Sequence, residues 1–415
     1  MECEIERLAA GGDGVGRLPD GRVLFVPFTA PGDRVVVRVV QQRRRYARGE
    51  VQRLVKPGAG RSEPLCPVFG SCGGCSWQHL AYPVQLEAKR SILRESLRRI
   101  GGLGNLGEIE ITASPQPYHY RSRARLQSEG GRVGFRRRHS HELCAVKRCP
   151  VLVEALDQAL EELPRIVERG CASTLPCEWE LAVGEDGCVR AAPLGSQVAG
   201  ASPTETSIVY RVEENHLCVS PGVFHQANQL LQSKLVRAVR DAATQGAEAE
   251  GERLLELFSG AGLFTLSLAP HFERVIAVES NPAAIGDLHR NLRGAGISHV
   301  EVRAERVEVV LAAFPTDPEC RPDVVVLDPP RSGLVAGAER HLARLGARRI
   351  VYLSCDPATL ARDLAALTRC GYAIDRVEGF DLFPQTAHIE ALAVLRPAAA
   401  KGAPARRRDT PDPGG

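Results

Sequence analysis

The sequence predicts an α/β protein in which a doubly wound parallel sheet fills the carboxyl-terminal half. A small β-barrel and a central α+β region precede it. Three observations carry this reading. From about Glu213 onward, β-branched apolar runs alternate with amphipathic helical stretches, the pattern of strand–helix–strand units. The first 55 residues instead hold short strand-like runs separated by glycine turns. Between them the cysteines of L-C-P-V-F-G-S-C-G-G-C are crowded together. At 415 residues the chain is too long for one ordinary core. The division expected is 1–57, 58–212, 213–396 and a tail at 397–415.

In the barrel, Cys3–Leu8, Val23–Phe28, Asp33–Val40 and Gly49–Val55 read as strands. The turn signals between them are G-G-D-G-V-G, P-D-G-R and A-P-G-D. Barrels of this kind bind oligonucleotides, and Gln42–Arg48 (Q-R-R-R-Y-A-R) adds cations and an aromatic suited to phosphates and bases. A solvated hairpin end is the plainer alternative.

Cys66, Cys72 and Cys75 follow with Cys-x5-Cys-x2-Cys spacing, and Cys149, in K-R-C-P-V-L, is the choice for a fourth ligand, with Cys144 as competitor. Four soft thiolates suit an iron–sulfur cluster or a structural zinc. The three-plus-one spacing leans towards iron–sulfur. The central region opens with a helix at about Gln85–Ile100, with Leu86, Ile92, Leu93 and Leu97 inward and Lys89, Arg90, Arg94 and Arg98 outward. Strands are expected at Tyr120–Gln127, Gly131–Arg136, Trp179–Val183 and Cys188–Pro193, and a helix at Leu152–Glu168. The arginines of Y-R-S-R-A-R-L-Q and G-F-R-R-R-H alternate as if lining one sheet face open to a polyanion.

In the carboxyl-terminal half, L-L-E-L-F-S-G-A-G-L-F-T-L (254–266) is a buried strand, a glycine turn and a helix start. A second strand ends at Glu279, where an acid can bind both hydroxyls of a ribose. The turn suits a dinucleotide or S-adenosylmethionine; Thr265 in place of a third glycine counts against the dinucleotide. D-V-V-V-L-D-P-P-R-S-G (323–333) brings Asp328 to a strand's carboxyl end. In I-V-Y-L-S-C-D-P-A-T (350–359) a strand stops at Ser354, Asp356 caps a helix and Pro357 begins it. Cys355 thus lies where open sheets place ligands and where a helix dipole favours thiolate, with Asp356 opposing. Glu390 opens the closing strand of F-P-Q-T-A-H-I-E-A-L-A-V-L.

In this order the motifs resemble the RNA uracil-C5 methyltransferases, over nearly the whole chain. The leading barrel resembles a TRAM domain. With the cysteines, it is most similar to the branch that methylates 23S ribosomal RNA. The resemblance implies a class I S-adenosylmethionine-dependent methyltransferase domain, with Gln226, Phe258, Glu279 and Asp328 binding cofactor. It implies Cys355 as nucleophile, Glu390 as general base, and a 4Fe–4S cluster on Cys66, Cys72, Cys75 and Cys149. The chemistry is coherent: thiolate attack at C6 makes C5 of uracil nucleophilic, and a base must then take the C5 proton. The target base must be unpaired or flipped out.

Other classes fit less well. A tRNA-directed enzyme of this kind lacks both barrel and cysteines in its bacterial branch. A cytosine-C5 methyltransferase carries a second cysteine beside its aspartate-proline motif, and Asp328-Pro329-Pro330-Arg331 has none. A non-catalytic RNA-binding protein has no use for the Cys355–Glu390 pair. The net charge of +3 announces no polyanion by itself. No apolar run suits a membrane span and M-E-C-E-I-E-R is no signal peptide, so a cytoplasmic protein is expected. No protein partner is evident. The tail, rich in proline, glycine and charge, is expected to be disordered.

Overall fold

The computed structural model describes residues 1–170, 177–194, 207–245, 252–315, 317 and 320–398. The expected tail falls outside the described residues except for Pro397 and Ala398.

The amino-terminal strands are β1 (Glu2–Glu4), β2 (Arg7–Leu8), β3 (Gly14–Arg17), β4 (Val23–Val26), β5 (Arg34–Gln42) and β6 (Tyr46–Lys56). They form one sheet, in the order β1-β5-β6-β4-β3-β2, curled over Ile5, Leu24, Val26, Val35 and Val37. Gly14–Arg17, expected to be turn, is strand. A Cβ on Gly14 would lie 2.0 Å from Thr29 Oγ1, so this glycine serves close approach of the chain. The long β5–β6 hairpin carries Arg43, Arg44 and Arg45 exposed at its tip, and Tyr46 packs edge-on to Phe25.

Helix α1 (Tyr82–Arg99) begins with Pro83 in its first turn. Ile92, Leu93 and Leu97 are buried as expected, but Lys89, expected in solvent, is fully buried and paired with Asp381. Helical periodicity predicts a face; it cannot foresee a carboxylate nearly three hundred residues away. Strand β7 (Ile111–Thr112) leaves the central region to become an edge of the carboxyl-terminal sheet.

The central sheet comprises β8 (Arg123–Glu129), β9 (Arg132–Arg136), β10 (Leu143–Ala145), β11 (Cys177–Val183) and β12 (Val189–Leu194), in the order β10-β9-β8-β11-β12. Helix α2 (Glu154–Gly170) covers it, packing Leu156, Leu160 and Leu163 on Leu126, Trp179 and Leu181. The expected all-solvent arginine face needs one correction. Arg123 is buried, bonded to Glu180 Oε1 at 2.5 Å and to Ser220 O, whereas Arg125, Arg136 and Arg137 are exposed.

The hairpin β13 (Ile208–Val212) and β14 (Asn215–Val219) leads to α3 (Gln229–Thr244). Then follow β15 (Arg253–Leu257), α4 (Thr265–Leu268), β16 (Arg274–Glu279), α5 (Pro282–Gly294), β17 (Val300–Ala304) and α6 (Val307–Ala313). The chain continues through β18 (Val324–Leu327), α7 (Ala338–Leu345), β19 (Arg349–Ser354), α8 (Pro357–Arg369), β20 (Tyr372–Phe380) and β21 (Glu390–Pro397). The sheet order is β17-β16-β15-β18-β19-β21-β20-β7, with β17 to β19 parallel and β21 antiparallel to both neighbours.

Both faces are covered, which is why its strands read as continuous apolar runs. In β19, Val351 and Leu353 join a core with Leu231 and Leu235, while Ile350 and Tyr352 pack under Leu360 and Leu364. Each such side chain contributes roughly 1.5–3 kcal/mol on burial. Among the described residues no helix is long and apolar enough to cross a membrane.

Candidate active site

Strand order reverses beside β15, and the carboxyl ends of β15, β16, β18 and β19 open there on one edge. The register explains what gathers. Leu257 pairs with Leu327, and Leu327 with Tyr352, so Phe258 and Asp328 leave their strands side by side, and β19 runs on to Ser354 to release Cys355 two residues further along the same edge. Because β21 is antiparallel, its first residue lies at the same edge: Ser354 pairs with Ala391, next to Glu390.

The glycine turn is built as expected up to its helix. Phe258, Gly260 and Gly262 all have positive φ, and a Cβ on Gly262 would press on Leu288 Cδ1 at 2.7 Å. Nothing lies within 4 Å of a Cβ on Gly260, leaving open space above the turn. The following helix, however, is only Thr265–Leu268, ending in a 3-10 turn at Pro270. Glu279 is held by the N–H groups of Gly260 (2.9 Å), Ser280 (2.7 Å) and Asn281 (2.7 Å). Gln226 is buried on the strap leading to α3, and its Oε1 has no partner.

The strand–cap–helix expectation for Cys355 holds: β19 ends at Ser354, and Asp356 accepts the Thr359 N–H at 2.8 Å. Burial, with Glu390 and Asp328 nearby, pushes the Cys355 thiol up to about 11; a hydrogen bond from Arg331 and its positive charge oppose this. Desolvation outweighs a helix dipole. Burial also raises Asp328 to about 7, and burial together with Asp328 raises Glu390 well above the usual carboxylate range. A buried carboxyl raised in this way can act as a base near neutral pH.

Two members were not foreseen. Glu256, pointing inward from β15, is 1% exposed, and burial raises its carboxyl to about 8 against the opposing Thr265 hydroxyl and N–H. In sequence it is one polar letter in L-L-E-L-F, and that break in an apolar strand was the available signal. Arg331 was visible as part of D-P-P-R, but its reach to Cys355 and, at 3.2 Å, to His388 Nε2 was not.

The open space over Gly260, beside the Glu279 carboxylate, suits a cofactor that brings its own hydrogen-bond donors. The cysteines give a different result. Cys66, Cys72, Cys75 and Cys149 line one cavity of about 820 Å³, with Gln226 and His388 in the same wall. They are free thiols, and burial pushes Cys72 up to about 11 and Cys75 to about 12. They are not drawn into a ligating group: among the described residues, no three or more His, Cys, Asp or Glu side chains are gathered to hold a metal ion. The expected iron–sulfur domain therefore has its donors on one wall without a formed cage.

Sheet order and edge define a class I methyltransferase fold. A family model described as tRNA (Uracil-5-)-methyltransferase matches residues 204–397, and the TRAM domain model matches residues 1–52. The 23S rRNA (uracil(1939)-C(5))-methyltransferase RlmD of Chromohalobacter salexigens is 35% identical, over 94% of this chain and 88% of its own. That of Edwardsiella ictaluri is 32% identical, over 94% of both. The tRNA (uracil-54, C5)-methyltransferase of Pyrococcus abyssi, solved with S-adenosyl-L-homocysteine, is 27% identical with a TM-score of 0.73, covering 95% of this chain and 100% of that one. The chain belongs to the RNA uracil-C5 methyltransferase family.

Proposed function

We propose that this enzyme methylates C5 of a uridine in 23S ribosomal RNA, using S-adenosylmethionine and a covalent bond from Cys355. The observation that carries the reading is the meeting of Cys355 and Glu390 at one sheet edge, through β19 and antiparallel β21. When bound, the cofactor supplies a methyl group on a sulfonium cation. Glu279 would take its ribose hydroxyls in place of backbone N–H groups, Gln226 and Phe258 would flank it, and Asp328 would sit between it and the base.

Cys355 Sγ adds to C6 of the uracil, raising electron density at C5. Arg331 stabilises the thiolate needed for that addition, against burial and the carboxylates. Once C5 carries the methyl group, Glu390 takes its proton, and the ring expels the thiolate. The exposed arginines of the β5–β6 tip and of β8 and β9 suit the phosphates of a displaced single strand. A ribosomal substrate would put this work in the cytoplasm.

The finer reading of the cysteines belongs here as well: Cys66, Cys72, Cys75 and Cys149 hold a 4Fe–4S cluster. Four soft donors on one cavity wall, costly to bury as free thiolates, support it. Anaerobically purified protein is then brown and carries iron, which Cys75→Ser removes.

The transfer of labelled methyl groups to 23S ribosomal RNA, lost in Cys355→Ala, tests the main reading. A second reading, transfer RNA, is favoured by the match to the whole Pyrococcus abyssi enzyme. Label in transfer RNA alone would select it.

A further inference from the structure

The loop between β20 and β21, residues 381–389, ends one residue before Glu390 and is gripped along its length. Asp381 is fully buried against Lys89 of α1, whose ammonium also donates to Phe383 O at 3.0 Å. One turn earlier on that helix, Gln85 and Gln385 exchange two hydrogen bonds. Gln85 Nε2 donates to Gln385 Oε1 at 3.0 Å, and the Gln385 N–H donates to Gln85 Oε1 at 2.8 Å. The Gln385 carbonyl accepts N–H groups from Ser76 (3.0 Å) and Trp77 (2.9 Å), the two residues after Cys75. Tyr120 donates its hydroxyl to Pro384 O at 2.9 Å.

Gln385 has φ +67, a left-handed conformation that is strained for a residue other than glycine. Such a conformation persists only where the surroundings over-determine it. Glu390, by contrast, has no hydrogen-bond partner for its Oε1. The aim of its carboxylate then depends on the pairing of Glu390 with Phe380 and on the loop that delivers it.

We infer that Gln85 and Gln385 are positioning residues for the proton-removal step; this rests on the covalent reading above. In the first step the C6–S bond forms and the C5=C6 π electrons move towards C5. That carbon then takes the methyl group from the sulfonium. Neither event needs Glu390. In the last step Glu390 takes the C5 proton, the C–H electron pair restores the C5=C6 bond, and the C6–S pair leaves with sulfur. A loop released from α1 mis-aims only this last step, so the enzyme stalls as a methylated protein–RNA adduct.

Gln85→Leu keeps the volume and removes both bonds to Gln385, together with those from Gln85 Nε2 to Leu80 O (2.9 Å) and Trp77 O (3.3 Å). Gln385→Gly removes the side-chain amide, with its bonds to Gln85 Nε2 and Pro117 O, but keeps the backbone N–H bond to Gln85 and the carbonyl, and it relieves the positive φ. Both are compared with the wild type on 23S ribosomal RNA transcripts carrying uridine or 5-fluorouridine, whose fluorine blocks proton removal. Failure of the wild type to form any 5-fluorouridine adduct overturns the covalent reading itself. Given that adduct, both variants are expected to trap 5-fluorouridine RNA as the wild type does. On uridine RNA their kcat falls roughly tenfold to a hundredfold at unchanged KM, and a denaturation-resistant adduct accumulates that the wild type does not show. Unchanged turnover overturns the inference. So does an equal loss of trapping and turnover in both variants, the mark of a merely structural role.

Discussion

The sheet edge and the cysteine-lined wall are built on different plans. At the edge, Phe258, Glu279, Asp328, Cys355 and Glu390 are delivered by strand ends, and ladder register alone brings them together. On the wall, Cys66 and Cys75 lie in irregular chain, Cys72 in an isolated β-bridge to Arg137 and Cys149 in a distant loop; among the described residues they share a cavity without forming a cage. Strand ends place side chains through many cooperative hydrogen bonds, while turns leave placement to whatever the side chains bind. The two regions meet at Gln385, bonded to Ser76 and Trp77 on one side and to α1 on the other.

The largest expected effect tests the edge. Glu390→Gln should lower turnover by about 10²–10⁴-fold while leaving 5-fluorouridine trapping intact. A proportional loss of trapping, read on denaturing gels, would mean that Glu390 acts before methyl transfer. Next is the strap between the regions. Lys89→Met leaves Asp381 as an uncompensated buried charge and should cost about 3–5 kcal/mol in urea unfolding. A cost below about 1 kcal/mol would show that the strap is held by its amides alone.

An effect of similar size, spread over pH, concerns Glu256. Its folded-state pKa is raised to about 8, above the ordinary value, so below about pH 4.5 the carboxyl is neutral whether folded or not. As pH rises from there to 8, only the unfolded chain ionises, and stability falls by about 1.4 kcal/mol per pH unit on account of this group. Glu256→Gln should flatten that slope, and thermal melts between pH 5 and 8 check it. An unchanged slope would mean that the carboxyl is paired.

What was legible in the sequence divides along the same line. Strand ends and caps such as Leu353-Ser354-Cys355-Asp356 announce themselves through apolar runs and cap residues, so the edge could be written down residue by residue. The twofold apolar alternation in β19 even anticipates its two cores. Contacts between distant segments were not legible. Lys89 looks like any solvent-facing lysine of an amphipathic helix until Asp381 is folded against it. Arg123 looks like part of an RNA-facing row until Glu180 arrives on the next strand. The balance of effects on the Cys355 thiol was not legible for a related reason: a helix dipole is local and readable, whereas desolvation by the whole fold is not.

The central claim is a transient bond between Cys355 and C6 of a uridine. It is tested most directly by incubating the enzyme with 5-fluorouridine-containing 23S ribosomal RNA and S-adenosylmethionine, then mapping the trapped adduct by mass spectrometry of its peptides. The account predicts one methylated nucleotide attached to the peptide containing Cys355, and none in Cys355→Ala. Methylated RNA with no adduct, or an adduct on another cysteine, would contradict it.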